Sequence, residues 1–488
     1  MVRETPLAEG KRAVTAVQTP QDSAPHCDLL LRGAVVVTVD DDHRVIERGS
    51  IAIVGDRIAA VGTANELGAW TATRVVECDG RIVMPGLIDC HNHLFQALVR
   101  GLGEGLPIWP WLREFMWPYA IAIAPADAKA AVALAAAEAA RAGTTTVVDH
   151  HYAPTDGETV LAVAGIIEST GLRGAVARGI LGRKTAVADA RGLPDDLYRY
   201  SAEDELAITA ECMRERPPGS KVAVWPGPLN LAYLDRELLS SSVHLARALG
   251  AKWHTHCSEA KGDPSSYLDA YGIRPVNWLR EEGLLDADAT LAHSIWIDDE
   301  EISSIGDAGA CVAHNPISNG YMASGVMPWR RLDEAGAVIG IGSDGPSAGH
   351  RQDLFEAMKY TLFAQRLAAA DPTEMRCEQA LAMATREGAR LVGVDAGVIA
   401  PGKLADLVVI GVGAPSMRPL VRPVAAVVYT ARSSDVEMTI SGGRIVVENG
   451  HCTLVDKQEL AAKAQEAADR LLSRTGLEAL RKGWSGAR

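Results

Sequence analysis

Apolar and polar positions change rhythm twice along the chain. From residue 28 to 84, short β-rich runs alternate with turns, as in DLLLRGAVVVTV, SIAIVGDRIAAVG and TRVVECDGRIVMPG. The Gly-Asp and Asp-Gly pairs between them are hairpin signals. The same texture returns near the end in ADLVVIG, PVAAVVYT and VEMTISGGRIVVENG. Together the pieces predict a small β-sandwich assembled from segments 28–84 and 400–455. The middle, 85–399, instead carries continuous apolar runs: VMPGLIDCHNH (83–93), TTTVVDHH (144–151), LRGAVARGI (172–180), KVAVWPGP (221–228), AKWHTHCSE (251–259), ATLAHSI (289–295), GACVAHNPIS (309–318) and AVIGIGSDG (337–345). Unbroken apolar runs are the mark of parallel strands buried on both faces. Ala-rich helical patterns separate them, such as 125–142, which ends at Gly143 in the C-cap position. Eight strand–helix alternations predict an α/β chain whose core is a (β/α)8 TIM barrel. The rival is a doubly wound open sheet. No G-x-G-x-x-G follows an early strand and no G-x-x-x-x-G-K-[ST] occurs, so nucleotide-fold signatures are missing.

The ends complete the layout. Residues 1–27 are polar, lack an apolar signal core, and read as a flexible leader. From 456 to 488 the pattern is an amphipathic helix, docked on the body or used as a dimer contact.

Composition narrows the function classes. A chain of 488 residues forms one large domain or two smaller ones. Its net charge of −14 argues against a nucleic-acid partner, which wants a basic face. The eight cysteines are scattered with no C-x-x-C pair, and in so long a chain they read as reduced thiols. No apolar run approaches membrane-spanning length. The expectation is a soluble cytoplasmic protein without a membrane partner.

The chemically able residues sit at the C-terminal ends of the eight runs: His91 and His93; Asp149, His150 and His151; His254, His256 and Glu259; His293; His314 and Asn315; Asp344. In a barrel those ends form the mouth where active sites are built. Most of the 13 histidines fall in this set, which scattered core histidines would not do. His91 and His93 are i and i+2 on a strand, so both face the barrel interior. Two imidazoles side by side suit a divalent metal. His256 and Asp344 would complete three nitrogens and a carboxylate, with a position left open for water. Asp344 in SDGP is also a good turn aspartate. His254 competes with His256 but lies one layer deeper, where it would orient a ligand.

PGLIDCHNH, HTHCSE, LAHSI, HNPISN and GSDG, in this order, resemble the amidohydrolase superfamily. The resemblance is to its mononuclear deaminase and chlorohydrolase branch: cytosine, guanine, 8-oxoguanine and S-adenosylhomocysteine deaminases and triazine hydrolases. GVIAPGKLADLVVI (397–410) looks like the family's return to its sandwich. The resemblance implies that His91, His93, His256 and Asp344 hold one metal, Zn²⁺ first, with Fe²⁺ or Co²⁺ as alternatives. It makes Glu259 the proton shuttle, His293 the residue that orients the attacking water, and Asp344 the acceptor of that water's proton. The two-metal members bridge their ions with a carboxylated lysine at the end of strand four. Here run four ends in VWPGP and Lys221 lies at its other end, so a second metal is not expected. The unrelated base-editing zinc deaminases need a C-x-x-C, absent here.

The expected reaction is hydrolysis of a C–N bond by metal-bound water, deaminating an aminated heterocycle (purine, pterin or triazine) with release of ammonia. The alternative is an amide, urea, carbamate, thiocarbamate or chloro-substituted ring cleaved by the same site. A metal-binding barrel without catalysis would not need Glu259. For the substrate, GLPIWPWLREFMWP offers Trp109, Trp111 and Trp117 to line a pocket. Gln96 and Asn230 could bond a ring edge, and Tyr152, Asn319, Tyr321 and His350 sit in other mouth loops. There is no arginine cluster for a phosphate, so a neutral small molecule fits better. By the same resemblance the chain would form a homo-oligomer, a dimer or larger.

Overall fold

The computed structural model describes residues 24–232 and 234–480. The first strand runs His26–Val37, so the last two residues assigned to the leader open the sheet; residues 1–23 lie outside the described part. One hydrogen-bonded sheet of nine strands draws on both ends of the chain. Strand His26–Val37 pairs with Val45–Val54 along one edge. Its other edge is shared, residues 26–32 pairing with Thr71–Glu77 and residues 35–36 with Arg81–Pro85. The switch falls at Gly33, whose φ of 81° sits at a register shift. A bulge of this kind is how one strand turns a corner between two layers. From Arg81–Pro85 the ladder passes to Leu407–Gly411 and then Val436–Ser441. Leu31, Ile51, Ile53, Val83, Leu407 and Ile440 fill the space between.

At Gly86 the chain crosses from this sheet into the barrel. A Cβ there would come within 2.3 Å of the Thr145 hydroxyl, so only glycine fits. The eight barrel strands are Leu87–Asn92, Thr144–His151, Arg173–Ile180, Val222–Pro228, Trp253–Cys257, Ala289–His293, Cys311–His314 and Val338–Ile341. They form two parallel four-stranded arcs. The first seam joins the ends of strands four and five by a parallel bridge between Asn230 and His256. The second joins strand eight to strand one, where Asp344 N–H donates to His91 C=O at 3.0 Å. Both seams sit beside site residues.

Helices follow the strands and are started by short acids and hydroxyls. Asp156, Ser201, Asp235 and Asp353 each accept from a first-turn amide, and Asp298 with Glu301 forms a capping box. One element departs from the sequence reading. PVAAVVYT, taken as strand-like, is the helix Pro423–Tyr429. A short continuous apolar run has no period to separate the two states, and Pro423 at the first turn favours helix. Among the described residues no single helix is long and apolar enough to cross a membrane.

The C-terminal helix Lys457–Thr475 packs on Pro125–Arg141 through Ala464, Ala467, Leu471 and Leu472. Asp127, buried at the start of the partner helix, pairs with Arg470 and Arg474. Asp127→Asn is expected to weaken the docking by about 1–2 kcal/mol, since both arginines are half exposed. Hydrogen exchange checks it: protection falls in 457–475 and stays unchanged in the barrel strands.

Candidate active site

The C-terminal ends of the barrel strands open into a pocket of about 640 Å³. At its floor His93 Nε2 lies 3.1 Å from His256 Nε2, and His91 Nε2 and His93 Nε2 each lie 3.5 Å from Asp344 Oδ1. The tautomers are set from behind. His93 Nδ1–H donates to His150 C=O at 2.7 Å, and His256 Nδ1–H donates to Leu229 C=O at 2.6 Å. Both Nε2 atoms therefore carry lone pairs that face each other across 3.1 Å. Two lone pairs held this close repel unless a cation sits between them. His91 Nε2 is buried with no hydrogen-bond partner, while its Nδ1 faces His254 Nε2 at 2.7 Å. Three imidazole nitrogens converge on one point, and Asp344 Oδ1, which accepts from Gly345 N–H at 2.6 Å, adjoins two of them, a donor set suited to a divalent metal.

Burial keeps these imidazoles neutral and able to ligate. It pushes His91 down to about 3 and holds His93 and His256 below the usual value. Burial works against the Asp344 carboxylate too, but the imidazoles of His91, His293 and His93 outweigh it and hold Asp344 well below the usual range.

The backbone bends where the chemistry is. His293 and Asp344 have φ of 71° and 61°, a conformation that non-glycine residues adopt at a cost. His293 Nδ1–H donates to Asn319 Oδ1 at 2.9 Å, which turns Nε2 toward Glu259 Oε2 at 3.7 Å and Asp344 Oδ2 at 3.8 Å. Glu259 lines the pocket, and burial pushes its carboxyl up to about 7, with His293 pulling the other way. Asp263, four residues further on at the start of the next helix, also lines the pocket and is pushed by burial to about 6.

The sequence candidates separate in space. Trp109, Trp111, Trp117, Tyr152 and Asn230 line the pocket with Glu259, His293 and Asp344. Gln96 lines it as well, but its amide donates to the Tyr152 hydroxyl at 2.8 Å and its oxygen accepts from Ser347. It fixes Tyr152 and keeps a second N–H and a second lone pair. Asn319 does not line the pocket; it stands behind His293. Tyr321 and His350 also lie outside the lining and meet each other edge to face. His151 turns from the site to Asp149, while His150 stacks on His256. His314 is buried with neither ring nitrogen bonded and is no part of the ligand set.

Asp263 was not among the sequence candidates, and neither was Asp89. Asp89 accepts from Ser343 N–H at 3.0 Å and ties strand one to strand eight behind the ligands. Asp263 had a signal, its place four residues after Glu259, but AKGDP reads as an ordinary turn.

A model of the amidohydrolase family matches residues 82–446, three quarters of the chain. The chain belongs to the amidohydrolase family. Among curated relatives, this amidohydrolase is 32% identical over 428 residues to a 5′-deoxyadenosine deaminase of Methanothermobacter thermautotrophicus, covering 87% of this chain and 95% of the relative. It is 33% identical over 448 residues to a 5-methylthioadenosine/S-adenosylhomocysteine deaminase of Syntrophobacter fumaroxidans, covering 90% and 98%. Among solved structures it resembles the atrazine chlorohydrolase TrzN of Arthrobacter aurescens, complexed with zinc. The TM-score is 0.83 at 25% identity, over 90% of this chain and all of the other.

Proposed function

We propose that this amidohydrolase deaminates an aminated heterocycle. The observation that carries the reading is Glu259. It is a carboxyl held near neutrality, set in the pocket wall beside His293 and across from the lone-pair cluster. A residue that served only to bind metal would have no reason to sit there, at a cost in burial.

His91, His93, His256 and Asp344 would hold the cation, for which we propose zinc on the strength of the nitrogen-rich donor set. Zinc so held is a Lewis acid that makes water acidic enough to act as a nucleophile near neutral pH. Asp344, kept ionised, accepts the proton from the attacking water. His293 Nε2, between the two carboxylates, holds that water over the ring carbon. Glu259 delivers its proton to the ring nitrogen as the carbon gains oxygen; the proton taken up by Asp344 passes to the departing nitrogen, which leaves as ammonia, and the proton of the added hydroxyl returns to Glu259. The relatives' names support an adenine-like ring, and the atrazine chlorohydrolase gives the second reading, in which chloride leaves instead.

The free thiols support a reducing compartment, which we take as the cytoplasm. Tyr360, Phe363 and Leu367, exposed along one helix face, support a homo-oligomer. The test is ammonia release by the zinc-loaded protein from a panel of aminated purines, pterins, pyrimidines and triazines. Release from one ring class, abolished by a chelator, supports the reading. Silence across the panel with metal bound refutes it and favours another leaving group.

A further inference from the structure

Around the metal cluster the pocket lining mixes apolar and acidic side chains, Ile108, Trp109, Leu112 and Met322 with Glu259 and Asp263. Among the described residues no lysine or arginine lines it. The nearest candidate, Arg191, is spent elsewhere. Its guanidinium stacks 4.3 Å from the centre of the Trp109 ring and donates to Gly262 C=O and the Ser266 hydroxyl.

Asp263 is 8% exposed and opens the helix Asp263–Tyr271. Oδ2 accepts from Ala260 N–H at 2.9 Å. The Glu259 backbone N–H also holds this carboxylate, which belongs to a residue of the pocket wall. An ionised carboxylate only accepts, so what meets it from the pocket must donate. In the proposed reaction Asp263 has no task, because Glu259 and Asp344 already account for both protons.

We propose that Asp263 is a specificity residue: it accepts a hydrogen bond from an N–H or O–H of the substrate, and the pocket takes heterocycles with uncharged substituents while rejecting those that carry a carboxylate or phosphate. The inference rests on the deaminase reading above. Its physical basis is twofold. Two backbone N–H groups leave lone pairs on the Asp263 carboxylate, and a donor on the substrate can take one of them. An anionic substituent would meet carboxylates in a partly desolvated pocket with no cationic side chain to pair with it, and such repulsion is worth a factor of roughly 10–100 in binding. The apolar side chains suit a thioether or alkyl group in the same place.

The relatives' names suggest the sharpest pair of probes. 5′-Methylthioadenosine and S-adenosylhomocysteine share the aminated purine and the sugar. They differ in what the sulfur carries, a methyl group or a zwitterionic amino acid whose ammonium accompanies its carboxylate, so N-acetylated S-adenosylhomocysteine, which keeps only the carboxylate, serves as the anionic partner. We would measure kcat and KM for ammonia release from both with the zinc-loaded enzyme. In parallel we would use pterin with its 6-carboxylate, and a triazine with an alkylamino or a carboxyalkylamino arm. For whichever ring is deaminated, the uncharged member is expected to show a kcat/KM about 30-fold or more above its anionic partner.

Asp263→Asn sharpens the test. Asparagine can still accept from Ala260 N–H, so the loop keeps its bond, but the other arm now donates. KM for the uncharged substrate should rise at least tenfold with kcat within a factor of three, and the anionic partner should gain. A loss of kcat alone, or no change in the ratio of the two substrates, overturns the role of Asp263. Equal kcat/KM for both members of a pair in the parent enzyme overturns the charge rule while leaving the deaminase reading intact. Ammonia from no member of the panel refutes the deaminase reading, and this inference with it.

Discussion

Glu259→Gln is expected to lower kcat by about 10³-fold or more while zinc remains bound at one ion per chain. Glutamine keeps the shape and the polar contact but cannot carry a proton. The ligand nitrogens of His91, His93 and His256 are fixed by other groups, so metal content should not change. The same substitution should stabilise the protein at high pH. The parent carboxyl goes from an ordinary value of 4.5 to about 7 on folding. The folded state therefore holds this proton more tightly than the unfolded chain. Its stabilising share is complete below pH 4.5 and is lost as pH rises to about 7. Glutamine carries no such loss, so at pH 8 the metal-free variant should exceed the parent by on the order of 3 kcal/mol, and the two should converge near pH 4. Denaturant midpoints at the two pH values measure it. A variant that turns over at the parent rate ends the proton-shuttle role. A variant that is inactive but no more stable at pH 8 shows that the carboxyl was never held near neutrality. In the parent, kcat should fall as pH rises above about 7, with the loss of that proton.

The barrel was legible because buried parallel strands write themselves as continuous apolar runs, and all eight runs contain a barrel strand. The metal cluster was legible for a related reason. His91, His93, His256 and Asp344 end strands, and strand ends in a barrel converge on one mouth. Residues that act through loops were harder to read. Asn319 lies 26 residues after His293, and only the turn of the seventh strand into its helix brings its side chain oxygen behind the imidazole. Gln96 stands alone in sequence, but Tyr152 and Ser347, from the second and eighth strand ends, each bond one end of its amide. Asp263 was hidden because a turn aspartate and a pocket aspartate have the same local sequence. Which one it is depends on how the 105–118 segment packs, where Trp109 stacks on Arg191 and Arg191 in turn bonds Gly262.

The histidines give the chain an unusual response to acid. Burial holds His91 and His314 at about 3 and keeps His93, His150, His254 and His256 below the ordinary 6.5. In the unfolded chain each regains the ordinary value and takes up a proton as pH falls below 6.5, whereas the folded chain does not. Buried carboxyls work the other way: Asp89 and Asp263 at about 6 and Glu259 at about 7, with Glu301 also raised, are protonated first in the folded state. The lowered imidazoles outnumber them, so unfolding takes up protons on balance and stability should fall as pH drops below 6.5. Ordinary proteins hold until their paired carboxylates titrate near pH 4. The chelated chain should therefore lose stability progressively between pH 6.5 and 5, before ordinary carboxylates titrate. Zinc steepens the dependence, because ligand protonation and metal release then occur together. Denaturant midpoints at half-unit steps from pH 7.5 to 5, with and without chelator, give the slope directly. A chelated chain whose stability is flat down to pH 5 contradicts the neutral, buried state of the cluster. His256→Asn should flatten the slope and abolish zinc binding, whereas Glu259→Gln should steepen the slope and keep the zinc. Opposite changes from two residues three positions apart would separate the ligand from the acid.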